Sequence, residues 1–131
     1  MSMQLETRPE PGFLKVAATG TFSLDEAKRT FVEMLEAVAL HETAKVLFDG
    51  RQLLGEPKVL ERFHYGEFAA QTVRDYSMRG VSLATQFAYV LKEPVLDPKR
   101  FGENVAVNRG MNTKVFDNPE DALQWLEPGP T

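Results

Sequence analysis

Apolar residues recur at helical spacing between residues 24 and 40. Leu24, Ala27, Phe31, Met34, Leu35 and Val38 would line one face of an amphipathic helix. Just ahead, Ser23-Leu24-Asp25-Glu26 reads as a capping box. The Ser23 hydroxyl can accept from the Glu26 amide while the Glu26 side chain reaches back. Two acids in that first turn also suit the helix dipole. A second long helix is predicted from Pro57, a residue suited to a first helical position, to about Tyr76. Val59, Phe63, Ala70 and Val73 mark its inner face, with Phe68 and Ala69 beside them. Gly66 inside a helix costs up to about 1 kcal/mol, so it predicts close packing at that point.

Other apolar runs lack this period. Val46-Leu47-Phe48 and Phe87-Ala88-Tyr89-Val90-Leu91 are continuous, as in central strands covered on both faces. Leu5–Arg8 and Phe13–Thr19 flank the turn cluster Pro9-Glu10-Pro11-Gly12 and predict a hairpin at a sheet edge. Asp97-Pro98 predicts an N-cap followed by proline at the first position of a third helix, closed by Gly110. Thr113–Phe116 is a last strand. Asn118-Pro119-Glu120-Asp121 repeats the cap-then-proline signal, and Ala122, Leu123, Trp125 and Leu126 follow in a short terminal helix. Pro128-Gly129-Pro130-Thr131 reads as a frayed end. The order β-β-α-β-α-β-α-β-α predicts an α/β fold, with a mixed, mostly parallel sheet of about five strands, four helices and right-handed crossovers.

Composition narrows the chemistry. The 131 residues fit one domain, 1–131, large enough to hold a core without metals or disulfides. Cysteine is absent, which excludes disulfides, thiol nucleophiles and thiolate zinc sites. Two histidines cannot supply a three-histidine metal site, and no cofactor is expected. Nineteen acids against fifteen bases give a net charge of −4, unsuited to sequence-independent nucleic-acid binding. No apolar run reaches the roughly 20 residues of a membrane span. The first residues lack the basic start and apolar stretch of a secretory signal. A cytoplasmic location is expected.

Several strings resemble the STAS-like family, named for sulphate transporters and anti-sigma factor antagonists. They are Lys45-Val46-Leu47-Phe48-Asp49-Gly50, Arg100-Phe101, Val105-Ala106, Arg109-Gly110, Lys114-Val115-Phe116 and Glu120-Asp121-Ala122-Leu123-Gln124-Trp125-Leu126. The likeness is greatest to short stand-alone bacterial members, often grouped with CRAL-TRIO-type lipid-binding domains, and covers roughly residues 5–127. It implies a STAS-like fold and a non-enzymatic binding or regulatory module that recognises a protein partner or a small apolar or anionic ligand. Lipid carriage is an alternative that it also implies. Anti-sigma antagonists of the family are phosphorylated on a serine or threonine at the start of the helix after the central strand. Residues 49–57 here contain neither, so no phosphosite carries over.

Candidate site residues fall in four groups. Asp49-Gly50-Arg51 is expected as a loop at a strand's carboxyl end, where ligands of open α/β sheets collect. Asp49 would hold a polar group and Arg51 an anion; equally, Asp49 would bond its own turn and Arg51 would be solvated. Arg100 and Arg109, with Lys99 and Lys114, make residues 97–114 basic, either to clamp an anion or as a solvated face. Tyr65, Phe68 and Tyr76 crowd one helix and would face a partner, a second copy included, unless the segment 77–86 covers them. His64 and Glu67 share a helix face, a minimal acid–base pair. An enzyme built on Asp49, Arg51 and His64 is the third alternative. His41 suits a helix C-terminus. Neither a nucleophile elbow, a P-loop nor a dinucleotide-binding turn is present.

Overall fold

A computed structural model of the chain describes residues 2–127; the predicted frayed end at 128–131 lies outside them. The strands are β1 (Gln4–Glu10), β2 (Phe13–Thr21), β3 (Lys45–Leu54), β4 (Gln86–Val90) and β5 (Thr113–Phe116). The helices are α1 (Leu24–His41), α2 (Val59–Tyr76), α3 (Phe101–Asn108) and α4 (Pro119–Leu126), with one 3-10 turn at Ser77–Arg79. The strands form a single sheet in the order β1-β2-β3-β4-β5. β1 runs antiparallel to β2, and the other pairs are parallel. The mixed α/β architecture follows the sequence pattern element by element.

Side-chain alternation divides the sheet into two unequal faces. One face carries Leu14, Val16, Val46, Phe48, Phe87 and Tyr89 and packs under α1, α2 and α3. The other presents Leu47, Ala88, Val90 and Phe116 to α4 alone, through Ala122 and Leu126. Helix α1 starts as the capping box predicts: the Ser23 hydroxyl accepts from the Glu26 amide at 3.3 Å. Its buried stripe is Ala27, Thr30, Phe31, Met34, Leu35 and Val38. Helix α4 is capped by Asn118, which accepts from the Asp121 amide at 2.9 Å, with Pro119 following. Gly110 adopts φ +95, the left-handed conformation that ends α3.

Three local expectations are corrected. Pro57 lies before the helix, not in it: Lys58 is the N-cap, and its amide donates to the Glu61 carboxylate at 2.8 Å. Val59, assigned to the inner face, is exposed; the buried stripe of α2 is Gly66, Ala69, Ala70, Thr72 and Val73. Small residues let α2 settle closely, and the bulky aromatics were poor guides to its orientation. Helix α3 begins at Phe101, three residues later than the Asp97-Pro98 signal predicts. Asp97 does accept from the Lys99 and Phe101 amides, both at 3.0 Å, but Arg100 is left-handed (φ 55) and breaks the intended first turn.

Asp49-Gly50-Arg51 is not a loop. Strand β3 runs through it, with one extra residue inserted between the pairs Ala17↔Asp49 and Thr19↔Gln52. Such a bulge lets a strand continue through turn-forming residues while re-aiming their side chains.

Candidate functional site

The carboxyl ends of β3 and β4, roofed by α2 and closed laterally by α3, surround a cavity of about 120 Å3. Phe48, Leu53, Leu91, Val95 and Met111 supply apolar walls. Its depth comes from small residues. A Cβ added at Gly66 would lie 2.6 Å from the Gly102 carbonyl oxygen and 3.2 Å from the Val105 Cβ, so α2 and α3 touch backbone to backbone there. Gly66, Gly102 and Ala106 all line the cavity.

Two tyrosines stand among the lining residues. Tyr65 comes from α2 and Tyr89 from β4, and their hydroxyls lie 2.7 Å apart. The rings meet edge to face, with centroids 6.5 Å apart. Burial pushes both phenols up, so the pair stays protonated over the whole physiological range. Polar groups also stand among the lining residues, but are already engaged. The Arg62 guanidinium donates to the Val95 and Pro94 carbonyls at 2.7 and 2.8 Å, tying α2 to the loop after β4. Arg100 donates to the Val115 carbonyl, while Glu103 accepts from the Val115 amide at 3.1 Å. These two side chains of the α3 region therefore satisfy the outer edge of β5, an edge that would otherwise be open to pairing.

The sequence-derived candidates do not gather into one place. Asp49 and Arg51 lie on the α4 side of the sheet, opposite the cavity, since they alternate with Phe48. They satisfy each other: Arg51 Nε and Nη2 donate to the two Asp49 oxygens at 2.9 and 2.8 Å, and the Arg51 amide donates at 3.1 Å. This bidentate pair holds the Asp49 carboxyl below its ordinary value. Gly50 is packed between Leu91, Phe48 and Leu53. Arg100 and Arg109 flank opposite ends of α3, so they cannot clamp one small anion. Arg109 lies over the Phe63 ring, 5.3 Å from its centroid, and 3.6 Å from Glu67.

Tyr65, expected to project outward, points into the molecule. Phe68 meets Phe31 edge to face beneath Lys28. Tyr76 donates to Glu36 at 2.7 Å and stacks under Arg79. Beyond its first turn, where Val59 and Leu60 are exposed, the outer side of α2 is therefore mainly polar, which removes the aromatic basis of the expected partner surface. His64 is half exposed on that side, 3.8 Å from Glu67. The sheet separates it from Asp49 and Arg51, so the enzyme constellation proposed from sequence does not form. Sequence reasoning missed Tyr89 and the cavity. A tyrosine inside an otherwise apolar strand was the available signal, because a buried phenol needs a partner.

The Asp49–Arg51 pair gives a pH prediction. A carboxylate with a depressed value in the folded state adds stability above its unfolded value of about 3.9, and loses it as pH falls through the lower folded value. The stability advantage of the wild type over Asp49→Asn is therefore expected to shrink as pH drops from about 5 to about 2. Urea unfolding at each pH measures it; a constant difference would remove the pair's contribution.

This sheet order, with its leading antiparallel hairpin and three helices against one on the two faces, is shared with solved structures. An anti-sigma factor antagonist from Mycobacterium paratuberculosis superimposes with a TM-score of 0.63 at 15% identity, covering 95% of this chain and 94% of that one. An uncharacterised DUF3478-family protein with a SpoIIAA-like fold, from Shewanella loihica PV-4, superimposes with a TM-score of 0.53 at 18% identity, covering 96% and 94%. The STAS-like fold expected from sequence is the one these structures share. No protein-family model and no curated protein matches the chain.

Proposed function

We propose that this protein is a regulatory binding module that docks on a protein partner through the corner where β3 leads into α2. The supporting observation is the exposure of three apolar residues there: Leu54 at 58%, Val59 at 66% and Leu60 at 69%. Exposed apolar groups close together mark contact surfaces more often than scattered ones do. The likeness in fold to an anti-sigma factor antagonist supports the same class of activity. The missing serine and threonine at 49–57 mean that a phosphate on that segment is not its switch.

A photo-crosslinking residue at Leu60 tests this in cells, with one at Gln71, on the polar side of α2, as control. A protein adduct is expected from position 60 and none from position 71. No adduct at 60, or equal adducts at both, would contradict the docking corner. Light scattering of the purified chain distinguishes a second copy from a different protein, since a homodimer doubles the mass.

The cavity favours a second reading, in which the module also takes a small apolar ligand. A concave apolar space with a few converging polar groups at the carboxyl ends of parallel strands is the usual form of a ligand site. Lipid carriage is the larger-ligand version of this reading.

A further inference from the structure

The Tyr65–Tyr89 pair leaves one proton unused. Two hydroxyls carry two donor protons, and the 2.7 Å contact between them uses one. Among the described residues neither hydroxyl has a second hydrogen-bond partner. Both tyrosines line the apolar cavity, where leaving a donor unpaired is costly. From this we propose that the cavity binds a small, neutral, apolar molecule bearing one carbonyl oxygen, which accepts from the tyrosine pair. The proposal rests on the ligand-binding reading above and names the ligand's chemical class.

Size and charge define that class. A cavity of about 120 Å3 is near the engineered protein cavities of about 150 Å3 that admit benzene. One six-membered ring with a short substituent is the matching scale. The ligand is neutral because, among the described residues, no free cation faces the cavity: Arg62 is held by two carbonyls, and Arg100 by Val115 and Glu103. A carboxylate placed there would lose its hydration without gaining a counter-charge. A ketone, aldehyde or ester loses less and gains the one available donor.

The test compares three probes by calorimetry: acetophenone, α-methylstyrene (nearly the same shape, with a methylene in place of the oxygen) and benzoate. Proteins are the wild type, Tyr65→Phe, Tyr89→Phe and the double variant. Removing both hydroxyls takes away both partners at once, a change that is nearly neutral for folding. Thermal unfolding of the double variant checks this.

Acetophenone is expected to bind the wild type more tightly than benzoate. It should lose about tenfold in the double variant, while α-methylstyrene changes less than about twofold. Each single variant should keep most of the ketone affinity, because the surviving hydroxyl is released from its partner and can donate. In infrared spectra the bound ketone's carbonyl band should lie lower in frequency in the wild type than in the double variant. Equal losses for ketone and hydrocarbon, or an unshifted carbonyl band, would overturn the hydrogen bond while leaving the cavity as a ligand site. Tighter binding of benzoate would overturn neutrality. Binding of none of the probes would overturn the ligand reading itself.

Discussion

Phe31→Ala is expected to lower the stability of the protein by about 3–5 kcal/mol, the range for emptying a fully buried phenylalanine site. Phe31 is 1% exposed and lies where three elements meet. Its ring centroid is 6.0 Å from that of Tyr65, 6.4 Å from Phe68 and 6.1 Å from Phe87. Two of these contacts belong to α2 and one to β4, so the side chain joins α1 to both the roof and the floor of the large core. Its removal forfeits the transfer free energy of the ring and leaves a void that backbone-anchored neighbours cannot collapse into. Leu40→Ala at the exposed end of the same helix should change stability by less than about 0.5 kcal/mol. Urea unfolding of both variants measures the contrast. A Phe31→Ala loss below about 1.5 kcal/mol would mean that α1 and α2 do not share this core.

Gly66→Val is expected to cost about 2–3 kcal/mol, although valine is a better helix former than glycine. The new side chain would meet the Gly102 carbonyl at 2.6 Å and the Ala106 amide at 3.3 Å. Both are backbone atoms, so no rotamer change relieves the contact, and α3 must move away. Gly66→Ala should also destabilise, by less. A helical glycine facing solvent would behave in the opposite way, gaining stability on replacement by alanine. Unfolding measurements on the two variants decide it. No loss in either would show that α2 and α3 are farther apart than described.

Elements marked by local chemistry were legible in the sequence. The capping box at Ser23, the Asn118-Pro119 start of α4 and the turn between β1 and β2 all act through residues close in the chain, and the structure repeats them. Features set by distant contacts were not. Asp49-Gly50-Arg51 has a turn's composition, yet pairing with β2 on one side and β4 on the other carries the strand to Asp49 and beyond it, with a bulge absorbing the extra residue. The orientation of α2 was hidden because aromatic residues occur all round it. The small residues Gly66, Ala69, Ala70 and Val73 recur at helical spacing and were the better signal of its buried face. Arg100 was read as an anion ligand, and its engagement with the β5 edge depends on a left-handed backbone that no residue type announces. A cavity is an absence of atoms, so sequence hints at it only through facing small residues such as Gly66 and Gly102.

Together these features make the sheet a partition. The α4 side is a filled layer beside a self-satisfied Asp49–Arg51 pair, and the α1–α2–α3 side holds the cavity with its spare proton. Of the ligand residues expected from sequence, Asp49 and Arg51 lie on the first side, while Arg100 lines the cavity on the second with its guanidinium already engaged. Titrating isotope-labelled protein with acetophenone and following the backbone amide signals tests that division most directly. Perturbations should concentrate at Gly66, Ala69, Leu91 and Ala106, with little change at Asp49, Arg51 or Trp125. Perturbations centred on Asp49 and Arg51, with the cavity residues unmoved, would contradict it.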